Sequence, residues 1–149
     1  MAKPVLVLGV GNILLGDEGV GVRVVEALAE LELPPQVELL DGGTSGLDLV
    51  PALAGRRKVV IVDAMAASLE PGSVLRLEPE ELQEQADSWR SVHDVGVVEA
   101  LALARRLPQP PAEVVLIGVV PGDVSWGLEL SPAVQERMPE LIRLVRAEL

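Results

Sequence analysis

Three stretches of this chain are apolar almost without interruption: PVLVLG at 4–9, RRKVVIVD at 56–63 once past its arginines, and AEVVLIGVV at 112–120. None alternates apolar with polar, so each reads as a strand without a solvent face, the pattern of a sheet covered on both sides. QVELLD at 36–41 reads as a further strand, and the more mixed SVLRLE at 73–78 suits a sheet edge. Between the strands the period changes. Val20, Val24, Leu28 and Leu31 fall at near-helical spacing across 19–31, which Pro34 and Pro35 terminate. A short helix is expected around 46–54. Another opens at His93-Asp94, with Asp94 as N-cap, after a polar stretch rich in Glu and Gln. Ser131-Pro132 has the form of a cap followed by proline at the first helical position, and Val134, Met138, Leu141 and Val145 then give a terminal helix one apolar face.

Apolar strands alternating with amphipathic helices predict an α/β fold: a three-layer α/β/α domain around a mostly parallel, twisted sheet with right-handed crossovers. No repeat, low-complexity linker or internal boundary divides residues 1–149, so one domain is expected. Hydrophobic residues make up 49% of the chain, yet Phe and Tyr are absent and Trp occurs twice. The core must be aliphatic. The absence of cysteine excludes disulfides, thiolate nucleophiles and Cys-ligated zinc, and it suits a reducing compartment such as the cytoplasm. Lys3 and the run after it lead into Gly-Asp-Glu-Gly without a small-residue cleavage site, so they read as a first core strand and not a signal peptide. No apolar stretch approaches the ~18 residues that a membrane span needs. A net charge of −11 argues against nucleic acid or an anionic lipid surface as partner, and is compatible with a metal ion or a basic polypeptide.

In an open α/β sheet, ligands bind beyond the carboxyl ends of the strands. The residues expected there are Asn12, Asp17 and Glu18 after the first strand, Asp41 closing the second, Asp63 closing the third, and His93, the sole histidine, before a later helix. A dinucleotide site is disfavoured. Gly9 and Gly11 follow a strand, but the third glycine of G-x-G-x-x-G falls on Leu14, and Glu18 near the helix start would repel a pyrophosphate. No serine sits in a G-x-S-x-G elbow, which leaves only Ser45 in DGGTSG as a weak nucleophile candidate. Two carboxylates and an imidazole fit better as a three-ligand metal set with open positions, for nickel, zinc or another divalent first-row ion. Glu18 alone could simply favour a helix N-terminus, a gain of about 0.3–1 kcal/mol. A helix start, however, does not require all three residues on one crest.

The segments GVGNILLGDEGVGVRVVEAL, DGGTSG, VDA at 62–64 and GVVPGDVSWGLELSPAV, taken together, resemble the hydrogenase maturation endopeptidases, from about residue 4 to residue 145. The resemblance implies a peptidase that removes a C-terminal extension from the nickel-loaded large-subunit precursor of a [NiFe] hydrogenase. It further implies that nickel, supplied by the precursor, is recognised by Glu18, Asp63 and His93, with another divalent metal substituting in isolation. The same three residues would then carry the chemistry, through a metal-bound water or a polarised carbonyl. Asp17 would orient the loop, and Asp41, Gly42, Gly43 and Thr44 would line the substrate groove. Two other functions stand beside this one: a non-cutting metal chaperone or sensor for the same precursor, and a dinucleotide-binding oxidoreductase.

Overall fold

A computed structural model describes residues 2–84, 89–91 and 97–149. Its strands are β1 (Val5–Val10), β2 (Val37–Gly43), β3 (Lys58–Ala67), β4 (Val74–Leu77), β5 (Trp89–Ser91) and β6 (Glu113–Val119). The main path of the sheet runs β2-β1-β3-β6-β4, with β5 paired to β3 off that path. β1 is parallel to β2 and β3, and β3 is parallel to β6. β4 closes the edge antiparallel to β6, where its mixed pattern placed it.

The helices are α1 (Val20–Ala29), α2 (Val50–Leu53), α3 (Pro79–Glu84), α4 (Val97–Ala104), α5 (Pro132–Gln135) and α6 (Met138–Arg146), with one-turn 3-10 helices at Gly16–Gly19 and Gly46–Leu49. Side-chain alternation in the central strands splits the core in two. Val5 and Val7 of β1, Val60 and Val62 of β3 and Ile117 of β6 pack with Val24 and Leu28 of α1, Val134 of α5 and Leu141 of α6. Leu6, Leu8, Val59, Ile61 and Leu116 face the other way, against Leu53 of α2 and Leu101 of α4. The predicted three-layer α/β/α arrangement is therefore present, and both faces of the sheet are dry. Truncating Ile61 or Ile117 to Ala should each lower unfolding stability by roughly 2–5 kcal/mol in a denaturant titration. The two positions probe opposite layers, so a cost below about 0.5 kcal/mol at either would mean that layer is not packed.

Some boundaries differ from the sequence reading. The helix expected across 19–31 is shorter, and Leu31 beyond it is 41% exposed. The segment 46–54 is a 3-10 turn running into α2. The single terminal helix is two, α5 and α6, because Pro139 supplies no N–H to continue the helical ladder across Glu136 and Arg137. The apolar face survives the break: Val134, Leu141 and Val145 are fully buried. At the end of the sheet away from the strand carboxyl termini, Glu148 accepts hydrogen bonds from Lys58 (3.0 Å) and Arg76 (2.6 Å) and ties the C-terminal segment to β3 and β4. The expected helix opening at His93 and Asp94 falls on residues outside those described; α4 is described from Val97.

Candidate functional site

The loop after β1 is shaped by its own side chains. The Asn12 carboxamide oxygen accepts the Leu14 N–H at 2.9 Å, and the Asn12 carbonyl accepts the Leu15 N–H at 3.1 Å, an Asx-type turn. The chain then enters the 3-10 turn that carries Asp17 and Glu18, whose fates differ. Glu18 is half-buried, whereas Asp17 is fully buried. The Asp17 carboxylate accepts the N–H groups of Gly122 (2.7 Å), Asp123 (2.9 Å) and Ser131 (2.7 Å) and the Ser131 hydroxyl (2.6 Å). A carboxylate is tolerated at this depth only when donors surround it in this way. Asp17 is thus an anchor for the segment 122–131, which gives physical content to the loop-orienting role expected of it. Ser131 is the N-cap residue of α5, but its hydroxyl serves Asp17 and not the helix, unlike the cap read from the sequence.

The same segment occupies the glycine-rich turn from outside. The N–H of Gly16 donates to the Gly127 carbonyl and that of Asp17 to the Asp123 carbonyl, both at 2.9 Å. A phosphate would find these two donors already taken, which argues against a phosphate cradle at this turn. Gly16 sits at φ +54°, and a Cβ there would lie 2.7 Å from the Asp123 carbonyl oxygen, so no larger residue fits.

Asp63 is also fully buried. It does not end its strand. β3 continues to Ala67, since Ala64 still pairs with Val119 of β6 and Met65, Ala66 and Ala67 pair with β5. The carboxylate therefore springs from within the sheet, with Gly118 beside it in register. Alternation places it on the face of Ile61 and Met65, the layer of α2 and α4. The 3-10 turn of Glu18 packs against β3. Just beyond that turn, α1 approaches so closely that a Cβ on Gly21 would collide with the Val62 carbonyl oxygen, one residue before Asp63. The Glu18 turn and Asp63 thus share the carboxyl end of the central strands.

Asp41 likewise does not end β2, which runs on to Gly43. Its carboxylate is exposed and accepts the Gly43 N–H at 2.9 Å, and the Gly43 carbonyl accepts the Gly11 N–H at 2.8 Å. The turn is thereby fastened to the start of the acid loop. Gly42 is buried, and a Cβ there would press on Leu8 and Leu49, while Thr44 is exposed. Ser45 is exposed at the start of the next 3-10 turn, and its side chain makes no capping bond. His93 lies outside the described residues. Among the described residues no three His, Cys, Asp or Glu side chains are grouped so as to hold a metal. No described helix is long and apolar enough to cross a membrane.

The loop 121–130 carries what the sequence reading left without a role. Asp123 accepts the Ser125 hydroxyl (2.6 Å) and N–H (2.8 Å), bonds that hold its carboxyl below the usual range. Trp126 beyond it is 79% exposed. The motif GVVPGDVSWGLELSPAV pointed to this loop, but only the long-range bonds to Asp17 reveal why it is there.

The chain as a whole is matched among known proteins, in sequence and in fold. A family model described as Hydrogenase maturation protease matches residues 22–148. The Escherichia coli (strain K12) Hydrogenase 2 maturation protease is 38% identical over 147 residues, covering 97% of this chain and 90% of that protein. Among solved structures, the hydrogenase maturating endopeptidase HybD from E. coli superposes with a TM-score of 0.88 at 38% identity, covering 97% of this chain and 91% of that one. The [NiFe] hydrogenase maturation protease HybD from Thermococcus kodakarensis gives a TM-score of 0.83 at 30% identity, with 97% of each chain covered. Match in sequence and in fold over nearly the whole length leads to one conclusion: this chain belongs to the hydrogenase maturation protease family.

Proposed function

We propose that the protein is the endopeptidase that removes a C-terminal extension from the large-subunit precursor of a [NiFe] hydrogenase once nickel has been inserted. Nickel arrives as part of the substrate, and Glu18, Asp63 and His93 are the ligands that receive it. The observation that carries this reading is the placement of Asp63, a fully buried carboxylate in the central strand, at the end where the Glu18 turn closes on β3. A site of this kind, an acid deep in the sheet and another at its rim, suits a cation presented from outside. His93 as third ligand is supported by the chain on either side of it. Ser91 pairs with Met65, two residues beyond Asp63, and α4 lies on the face to which Asp63 belongs.

In this account the seated nickel fixes the precursor so that the scissile peptide rests in the groove beside Asp41, Gly42, Gly43 and Thr44. Positioning of this sort can remove about 7–11 kcal/mol of a barrier. The oxygen of a water molecule joins the peptide carbonyl carbon, the C–N bond breaks, and the departing amine takes up a proton. Either carboxylate can relay that proton. Reaction happens in the cytoplasm, before the large subunit is complete. The test is incubation with nickel-loaded precursor followed by intact-mass measurement. Loss of one C-terminal peptide is expected. A stable complex with no loss of mass would instead indicate a non-cutting chaperone.

A further inference from the structure

The loop 121–130 is held at both ends by Asp17, through Gly122 and Asp123 on one side and Ser131 on the other. Between these anchors it runs alongside the acid loop. Leu15 and Gly127 form a parallel bridge, and the Gly127 N–H donates to the Leu14 carbonyl at 2.9 Å. The loop is therefore registered rigidly on the turn that bears Glu18. Its apolar side chains nevertheless face water: Val124 is 44% exposed, Trp126 79% and Leu128 59%, next to Leu14 at 47%. Trp126 is one of two aromatic residues in a chain with an otherwise aliphatic core. A cluster of this kind marks an interaction surface, and tryptophan is among the residues most enriched where binding energy concentrates. Leu128 also borders a groove of about 710 Å³ walled by Glu26, Glu30 and Glu129. The one arginine there, Arg23, is engaged by Glu26 and by the Leu128 carbonyl.

We propose that this loop is the docking surface for the hydrogenase precursor, and that it receives an apolar surface flanked by basic residues on that protein. The proposal rests on the function proposed above. A protein that presents an atom to Glu18 approaches the turn to which this loop is bonded. The acidic wall selects a basic flank on the occupant. A second copy of this chain, itself at net charge −11, would meet like charge there. Docking through Trp126 is separate from the reading of nickel. It strengthens binding of loaded and empty precursor alike and leaves the chemical step untouched.

The experiment uses the full-length Trp126→Ala variant and the wild type, each titrated with nickel-loaded and nickel-free precursor. Cleavage is followed by intact mass, and each protein alone is examined by sedimentation. The expected result is an unchanged melting temperature, affinity weakened about 10–100-fold for both precursor forms, and a raised KM with unchanged kcat. Unchanged affinity overturns the docking role, while cleavage by the wild type still upholds the peptidase function. A wild type that fails to cleave removes that function instead. A wild-type dimer that Trp126→Ala dissociates, with precursor binding intact, overturns the proposal in favour of a self-interface.

Discussion

Asp63→Asn should abolish precursor processing while leaving the fold intact. The substitution keeps the shape and a carbonyl acceptor but deletes the negative charge that a cation requires. Mutating even the partners behind metal ligands typically costs about 10–100-fold in metal affinity or activity, so loss of a ligand charge should lower the rate by about 100-fold or more. Stability should move little. Neutralising a fully buried carboxylate relieves the desolvation cost of the charge, which offsets the hydrogen bonding lost, and a change within about 1 kcal/mol is expected. Single-turnover cleavage followed by intact mass, with a denaturant titration beside it, separates the two effects. A variant that cleaves at the wild-type rate removes Asp63 from the ligand set. A variant that unfolds makes Asp63 a structural residue.

The contrast between Asp17 and Asp63 shows where the sequence was informative. Both are fully buried acids near the strand ends, and both follow apolar runs in the sequence. What distinguishes them is long-range: Asp17 takes its donors from residues 105–114 positions away, a distance over which local pattern carries no information. The central strands were legible because burial on both faces leaves continuous apolar runs, as in Val59–Val62 and Val115–Ile117. The tail of β3 was not. Met65, Ala66 and Ala67 have little strand propensity and are extended because β5, three residues long, adds to them from elsewhere in the chain. α3 is illegible in the sequence for a related reason. PEELQE shows no apolar stripe, yet its first turn carries Glu80 and Glu81, which suit the positive end of a helix. The fastening of the DGGT turn to Gly11 and the bonds between the 121–130 loop and Gly16 are likewise backbone contacts that no side-chain pattern announces.

The second large effect expected is dependence on nickel in the precursor. The proposed ligands, two carboxylates and one imidazole, would make an open set with no thiolate, so the isolated protein should hold nickel weakly and release it readily. Cysteine thiolates of the precursor would bind nickel more strongly, and the metal should reach this protein already seated. Shared coordination then couples metal to docking. Couplings of this kind typically change affinity about 5–150-fold, and the nickel-loaded precursor should bind more tightly than the empty one by a factor in that range. His93→Ala removes one of the three proposed ligands and should collapse that difference, while leaving the affinity for empty precursor as it was. Trp126→Ala should do the reverse, lowering both affinities and preserving their ratio.

A ratio of two affinities therefore decides whether these residues read the metal. Nickel-loaded and nickel-free precursor are titrated, at equal ionic strength, into the wild type and into His93→Ala. Preference for the loaded form in the wild type, lost in His93→Ala, is the predicted result. Equal affinity of the wild type for both forms, or a His93→Ala variant that still prefers the loaded one, would contradict the claim that these residues read the metal.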